Sequence, residues 1–276
     1  MRDKTLRHDF PLHLLLVLLG LFTFYPLVFT LFTSFKDNSQ FYSTFWGPAF
    51  PLHWGNYADA WRQLYPVLVN TVFVGVTSAF GTIFLASLSA YVFARHRFPG
   101  SDAIFYAIIA LLMIPGVLTL IPLFLLVKDL RLLNTYWVLI LPYIAGGQAF
   151  AIFVLRSFIA SQPEEIFESA RIDGADEFTI YQRIAVPMAK PILGTLAILA
   201  LLGSWNDYIW PSVTLRNPEL WTISLKLVSF SSQWASLQQY GPMFAGYVIA
   251  SIPLLILFMF TMRLFIEGLA SGAIKA

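Results

Sequence analysis

Residues 10–35 contain no Lys, Arg, Asp or Glu, and a run of that kind admits few folds. A helix needs about 20 apolar residues to cross the hydrocarbon core of a bilayer; the centre of this run, 12–32, supplies them. Five more blocks of comparable character follow at 64–94, 103–127, 132–155, 191–210 and 243–262, the fifth shorter and ending in polar residues. Charged residues make up 12% of the chain, hydrophobic residues 58%, and the mean hydropathy is +0.72. A soluble domain carries about 25% charge. The expected class is therefore an all-α membrane protein of six transmembrane helices. Arg2, Lys4 and Arg7 ahead of the first run imitate a secretory signal. The run is too long for a signal core and ends in no small-residue cleavage site, so it is expected to remain as a span.

Charge on the connecting segments sets the orientation. With the N-terminus inside, 11 of the 17 Lys and Arg residues fall on inner segments and 6 on outer ones, which favours both termini in the cytoplasm. The outer segment 36–63 carries Phe45, Trp46, Trp54, Tyr57 and Trp61 and reads as an interfacial aromatic belt. The outer segment 211–239, with Trp221, Trp234 and many Ser and Gln residues, reads as a solvated loop. Pro26, Pro115, Pro122, Pro142, Gly146, Gly147 and Pro253 lie inside spans, where neighbouring helices or a cavity must satisfy the freed backbone groups. Broken helices suit a transporter but also occur in membrane enzymes.

Little else could carry chemistry. There are no cysteines, so disulfides, thiolate metal sites and cysteine nucleophiles are excluded. His8, His13, His53 and His96 are scattered, with no pair at metal-ligand spacing. Neither a Gly-x-Ser-x-Gly elbow nor a Gly-x-x-x-x-Gly-Lys-Ser/Thr loop occurs. The chain is not expected to be an enzyme or to bind a cofactor, and if ATP drives it, another polypeptide hydrolyses that ATP. A net charge of +2 gives no reason to expect nucleic acid.

The longest polar interval between spans is 161–191, SQPEEIFESARIDGADEFTIYQRIAVPMAKP. Ser161 followed by Glu164 fits a capping box, with Pro163 where a first-turn proline is tolerated. Ile166, Phe167 and Ala170 form a small apolar face. Asp173-Gly174 supplies a residue able to take positive φ and end a first short helix. A second begins at Glu177 and is expected to stop at Pro187. Positive-inside counting places this helix-turn-helix in the cytoplasm, where it is built to touch something outside the membrane.

Glu168-Ser169-Ala170, Gly174 and Ile184-Ala185-Val186-Pro187 resemble the "EAA" loop of ABC-importer permeases, whose pattern is Glu-Ala-Ala, three residues, Gly, nine residues, then Ile-x-Leu-Pro. Ser169 and Val186 depart from it without altering its shape. The resemblance implies a type I permease fold in which this loop is the coupling helix that docks on an ATPase subunit through Glu168, Ser169, Ala170, Asp173, Gly174, Ala175 and Pro187. The C-terminal stretch with Gly268, Ser271, Gly272 and Lys275 is similar to the tail of the smaller permease in maltose-type importers, which reaches between the two ATPase subunits. Arg95-His96-Arg97-Phe98-Pro99-Gly100 and Trp205-Asn206-Asp207 extend the match over 65–276, leaving 1–64 as an N-terminal span and outer loop that agree only in placement. Within 65–276 the loop occupies 161–191 and the tail 264–276.

The resemblance implies a second permease subunit, two ATP-binding cassette subunits and an extracytoplasmic solute-binding protein, all at a prokaryotic cytoplasmic membrane. The binding protein would meet the outer segment 211–239. Trp205, Asn206, Asp207 and Tyr208 combine acid, amide and aromatic rings, the chemistry that binds sugars. They form a candidate substrate path, although capping and interfacial aromatics account for them equally well. The favoured cargo is a sugar or oligosaccharide. Alternatives are an importer for a polyamine, peptide or phosphorylated polyol, and an ion-coupled transporter acting alone, for which no convincing inverted repeat is visible.

Overall fold

A computed structural model describes residues 2–273, with side chains over 11–262. Among the described residues the secondary structure is helical throughout, and the chain divides into two compact units, Met1–Pro66 with Lys226–Leu254 and Val67–Leu225 with Leu255–Ala276. The segment 226–254 thus groups with the N-terminal part of the chain. Four helices are long and apolar enough to cross a membrane, over Pro11–Ser34, Gly55–Arg95, Trp137–Ala160 and Tyr240–Met262; two sharply bent helix pairs bring the count to six.

In the first unit, α1 (Arg2–Ser34) exposes most of its apolar surface, including Leu12, Leu16, Phe22 and Leu27. The following segment is organised rather than loose. Asp37 caps α2 (Asn38–Ser43): its carboxylate accepts from the Gln40 N–H at 2.7 Å, and Gln40 Oε1 accepts from the Asp37 N–H at 3.1 Å. Lys36 is fully buried, and its ammonium donates to the Thr44 and Phe45 carbonyls at 2.7 and 3.0 Å. These are the carbonyls that the end of a short helix leaves unpaired. Asn56 reaches back to the Ser34 and Lys36 carbonyls, both at 2.9 Å. Of the expected belt, Trp46, Trp54 and Trp61 are exposed, whereas Phe45 packs on Phe29 and Phe41.

Helix α3 (Gly55–Arg95) starts nine residues before the expected second span. In the second unit it continues from Val67 and meets α4 (Ser101–Ala110) and α5 (Gly116–Asp129). The third span, read as continuous over 103–127, is broken. A 3-10 turn at Leu111–Met113 and extended backbone at Ile114 and Pro115 bend the pair by 103°. A proline excludes the helical conformation from the residue before it and offers no N–H itself.

Helix α6 (Trp137–Ala160) begins later than the expected 132, because Asn134 takes φ +60 and its side-chain oxygen caps the Arg216 and Asn217 N–H groups. Close contact between α3 and α6 depends on glycine at Gly147, where a Cβ would stand 2.7 Å from the Thr82 methyl. The segment from 209 also departs from the expected solvated loop. It forms α11 (Ile209–Thr214) and α12 (Ile223–Ser236), with Trp210, Phe230 and Trp234 buried. These apolar side chains between polar ones give the outer segment its own packed interior. The last helix, α13, runs over Tyr240–Ala273.

One apolar cluster decides where the candidate site sits. Ala86, Ala90, Phe105, Ala151, Leu155, Ile159 and Leu196 from the spans close around Phe167 and Ile180 from the polar interval. Burying a phenylalanine this fully contributes about 2–3 kcal/mol, so the interval is seated on the spans.

Candidate functional site

The polar interval folds into α7 (Glu164–Ile172), α8 (Glu177–Ile180), a π turn at Tyr181–Ala185 and α9 (Val186–Met188), followed by α10 (Lys190–Asn206). The turn after α7 follows from Gly174, which takes φ +83. The Gly174 N–H donates to Arg171 O at 3.1 Å and the Ala175 N–H to Ala170 O at 3.0 Å, the paired bonds of a left-handed helix terminus. Asp176 then caps α8 by accepting from the Thr179 N–H at 2.9 Å, which holds its carboxyl below the usual range.

Two local expectations fail. Ser161 does not cap α7: it continues the last turn of α6, its hydroxyl donating to Phe158 O, while Pro163 stands at the N-cap and Glu164 is engaged elsewhere. Nor does Pro187 end the second helix. The Val186 N–H reaches five residues back to Tyr181 O, and the chain passes through Pro187 before bending by 77° near Ala189. The wider π turn supplies the room that the proline ring needs. Of the small apolar face, Phe167 and Ala170 point into the cluster and Ile166 is exposed.

A chain of ionic contacts that sequence reasoning missed braces the interval from behind. Arg95, at the end of α3, has a side chain only 4% exposed. It donates to the carbonyls of Ile159 and Gln162 at 2.6 and 2.9 Å, pairs with Glu164 and lies 3.8 Å from the centre of the Phe167 ring. Glu164 also accepts from Arg171 at 3.2 Å, and Arg171 Nε donates to Glu177 at 3.0 Å. Glu177 is completed by the Tyr91 hydroxyl at 2.6 Å and by His96 at 3.3 Å. Burial pushes the Glu177 carboxyl up, but hydrogen bonds from Tyr91 and Arg171, with the charge of Arg171, outweigh it and leave the pKa below the usual range. Arg171 is held more firmly protonated by Glu177, against a smaller effect of burial. The Glu164–Arg171 spacing on one helix face was a readable signal; the partnership with Arg95, 69 residues from Glu164, was not.

The opposite side of the interval is unengaged. Glu168 is exposed and has no hydrogen bond or ion pair among the described residues. Ser169, Asp173, Gly174 and Pro187 are exposed beside it, while Ala170 and Ala175 are half-buried against the apolar cluster. Large apolar side chains share this surface: Ile172 is 86% exposed and Phe178 64%. A carboxylate among exposed isoleucine and phenylalanine, on a backbone fixed by buried aromatics and ion pairs, has the composition of a docking face.

The four candidate path residues separate. Trp205 is buried, and its carbonyl accepts from Ser224. Asn206 is exposed and donates to Leu202 O of its own helix at 2.9 Å. Tyr208 is exposed. Asp207 alone of the four lines a cavity of about 410 Å³, with Thr119, Tyr143 and Trp210 among its other walls. One carboxylate oxygen accepts from the Tyr143 hydroxyl at 2.8 Å and the other from the Trp210 N–H at 3.2 Å. Tyr143 was not anticipated, since its place on α6 lies far from Asp207 in sequence. Gly268, Ser271 and Gly272 fall on α13, whose helical backbone continues through them to Ala273 where their size had suggested a flexible tail, and Lys275 lies outside the described residues. Among the described residues no group of His, Asp and Glu is arranged to hold a metal ion.

A sequence profile described as "binding-protein-dependent transport system inner membrane component" matches residues 82–270. The diacetylchitobiose uptake system permease protein NgcG of Streptomyces coelicolor is 32% identical over 95% of this chain and 88% of its own length. The melibiose/raffinose/stachyose import permease protein MelC of Bacillus subtilis is 31% identical over 91% of each. Among solved structures, a chain of a bacterial ABC transporter involved in the import of the acidic polysaccharide alginate superposes with a TM-score of 0.83 over 95% of this chain and 98% of its own, at 22% identity.

Proposed function

The chain belongs to the family of binding-protein-dependent transport system inner membrane components, and on that premise we propose that it is a permease subunit of an ATP-driven importer for oligosaccharides. The observation that carries the reading is the braced interval, which turns an unpaired Glu168 and exposed Ile172 and Phe178 away from the spans. Such a face passes force only if it is rigidly held, and Phe167 with the Arg95–Glu164–Arg171–Glu177 chain holds it. An ATPase subunit docks there, and closure of an ATPase pair moves the interval together with the ends of α3 and α6. A second permease completes the path, an extracytoplasmic binding protein delivers the sugar, and the partner subunits bind and hydrolyse ATP. This chain itself binds no cofactor and catalyses no reaction.

The excess of inner Lys and Arg supports a cytoplasmic position for both termini and for the docking face. The sugars in the relatives' names support the choice of cargo. Asp207 and Tyr143 offer hydroxyl-binding groups beside Trp210, and we assign them to the sugar path. The tail 264–276 makes a further contact with the ATPase pair.

The test is uptake by cells lacking this chain, offered labelled oligosaccharides, a polyamine and a peptide in parallel, followed by co-purification of the complex with Glu168→Ala. Loss of oligosaccharide uptake alone, and release of the ATPase by the variant, are expected. Loss of polyamine or peptide uptake instead would reassign the cargo. Normal retention and stimulation of the ATPase in the variant would overturn the docking face.

A further inference from the structure

We propose that a cavity at the shared end of α3, α4 and α6 binds the headgroup of an anionic phospholipid. It has a volume of about 920 Å³ and is bordered by Arg95, Arg97 and Arg156, with Asp102 and Glu164 as its acids. Its balance is more positive than the names suggest. Glu164 commits its two oxygens to Arg95 and Arg171. Asp102 is 81% exposed and comes only within 4.0 Å of Arg156.

The arginines, by contrast, have capacity to spare. Arg97 is exposed and has no hydrogen bond or ion pair among the described residues. The Arg95 side chain is almost wholly buried, yet its Nε has no partner. Arg156 lies over the Phe105 ring at 3.9 Å and makes one long bond, 3.4 Å, to the Phe93 carbonyl. Helix α4 opens onto the same cavity at Ser101, preceded by Gly100, and no side chain caps it. The N–H groups of a first helical turn lack partners within the helix and favour an anion.

A small soluble anion would use the guanidinium groups and nothing else. The surroundings fit a larger ligand. The cavity lies where spans end, and the surfaces leading away from it are apolar and exposed: Val92 on α3, Ile104 and Tyr106 on α4, Phe153 on α6. A phosphate on the arginines with acyl chains along these side chains satisfies both. Basic pockets between helices at a cytoplasmic membrane face hold anionic headgroups in this way. The inference rests on the proposed orientation, which puts this end at the cytoplasmic leaflet, and it adds a ligand that the transport reading does not require.

The experiment uses the importer complex purified through this chain into nanodiscs of phosphatidylethanolamine with phosphatidylglycerol. Native mass spectrometry counts the phosphatidylglycerol retained. Arg97→Gln and Arg156→Gln are each expected to lower retention roughly fivefold, and Arg156→Lys, which keeps the charge, to retain it. Inorganic phosphate and glycerol phosphate are expected not to displace the lipid. Equal retention by wild type and Arg97→Gln overturns the site, and displacement by inorganic phosphate reassigns it to a soluble anion. Because the chain has no cysteine, Arg97→Cys labelled with an impermeant maleimide reports the side independently. Labelling from outside intact cells would overturn the orientation, while arginine-dependent retention would still be read on its own.

Discussion

Arg171 and Glu177 meet at 3.0 Å across the left-handed turn at Gly174. The contact closes the two short helices of the polar interval onto each other, and through Tyr91 and His96 it fixes both to the end of α3. Its strength depends on acidity in a definite direction. The Glu177 pKa is lower in the folded protein than in the free chain, so its contribution is complete at neutral pH and is lost as the pH falls through the folded value, below the usual glutamate range. Glu177 is partly exposed, so solvent screening limits each of its ion pairs to about 0.2–1 kcal/mol. Glu177→Gln should lower the melting temperature of the purified complex at pH 7 and flatten the acid limb of a stability profile. An unchanged acid limb would show that Glu177 is not the group responsible.

Arg95 stands under different conditions, because its guanidinium is buried and bonded to two carbonyls, a carboxylate and an aromatic face. Breaking a buried pair by removing one member costs about 3–5 kcal/mol. Arg95→Ala should therefore loosen the interval while the spans still insert, and limited proteolysis should cut within 161–176 much faster than in the wild type. Arg95→Lys, which keeps charge but not the forked geometry, should fall between them. Equal cutting rates in all three would remove Arg95 from the brace.

Gly174 tests backbone rather than charge. An L-residue in the left-handed region costs about 1–2 kcal/mol, and nothing lies within 4 Å of the position of a Cβ there. Gly174→Ala should lower stability by that amount without a clash, Gly174→Asn by less, and both should weaken ATPase retention in the order Gly, Asn, Ala. A retention order unrelated to the tolerance for positive φ would separate the turn from docking.

Asp207 and Tyr143 should behave as a unit in uptake. Contacting residues couple by about 0.5–3 kcal/mol. The apparent sugar affinity of Asp207→Asn, Tyr143→Phe and the double variant should therefore be non-additive, with assembly unchanged. Additive effects would place the pair outside the path.

The spans were legible because hydropathy over 20 residues needs no knowledge of partners. Their breaks were not. Pro26, Pro142 and Pro253 lie in continuous helices, whereas Pro115 terminates one; hydropathy is alike at all four. The turn at Gly174 was legible because a single backbone conformation selects glycine. The capping box was misread because Ser161 and Glu164 had better offers elsewhere: a carbonyl in the preceding turn for one, two arginines for the other. The brace and the Asp207–Tyr143 pair unite residues about 60 to 90 positions apart, and no local pattern announces such a meeting.

The π turn at Tyr181–Ala185 also governs which changes in length the chain can accept. Such a turn holds one residue more than an α-helix needs, and each residue of an α-helix advances it by about 100°. Removing any one residue between Tyr181 and Ala185 should let the segment relax into ordinary helix and rotate everything after it by that angle. Ala185 and Leu196, now buried, would turn toward the outside, and Asp207 would swing away from Tyr143. The frame between the docking face and α10 is thus fixed to the residue, and a single deletion here should be far more damaging than a substitution at any of the five positions.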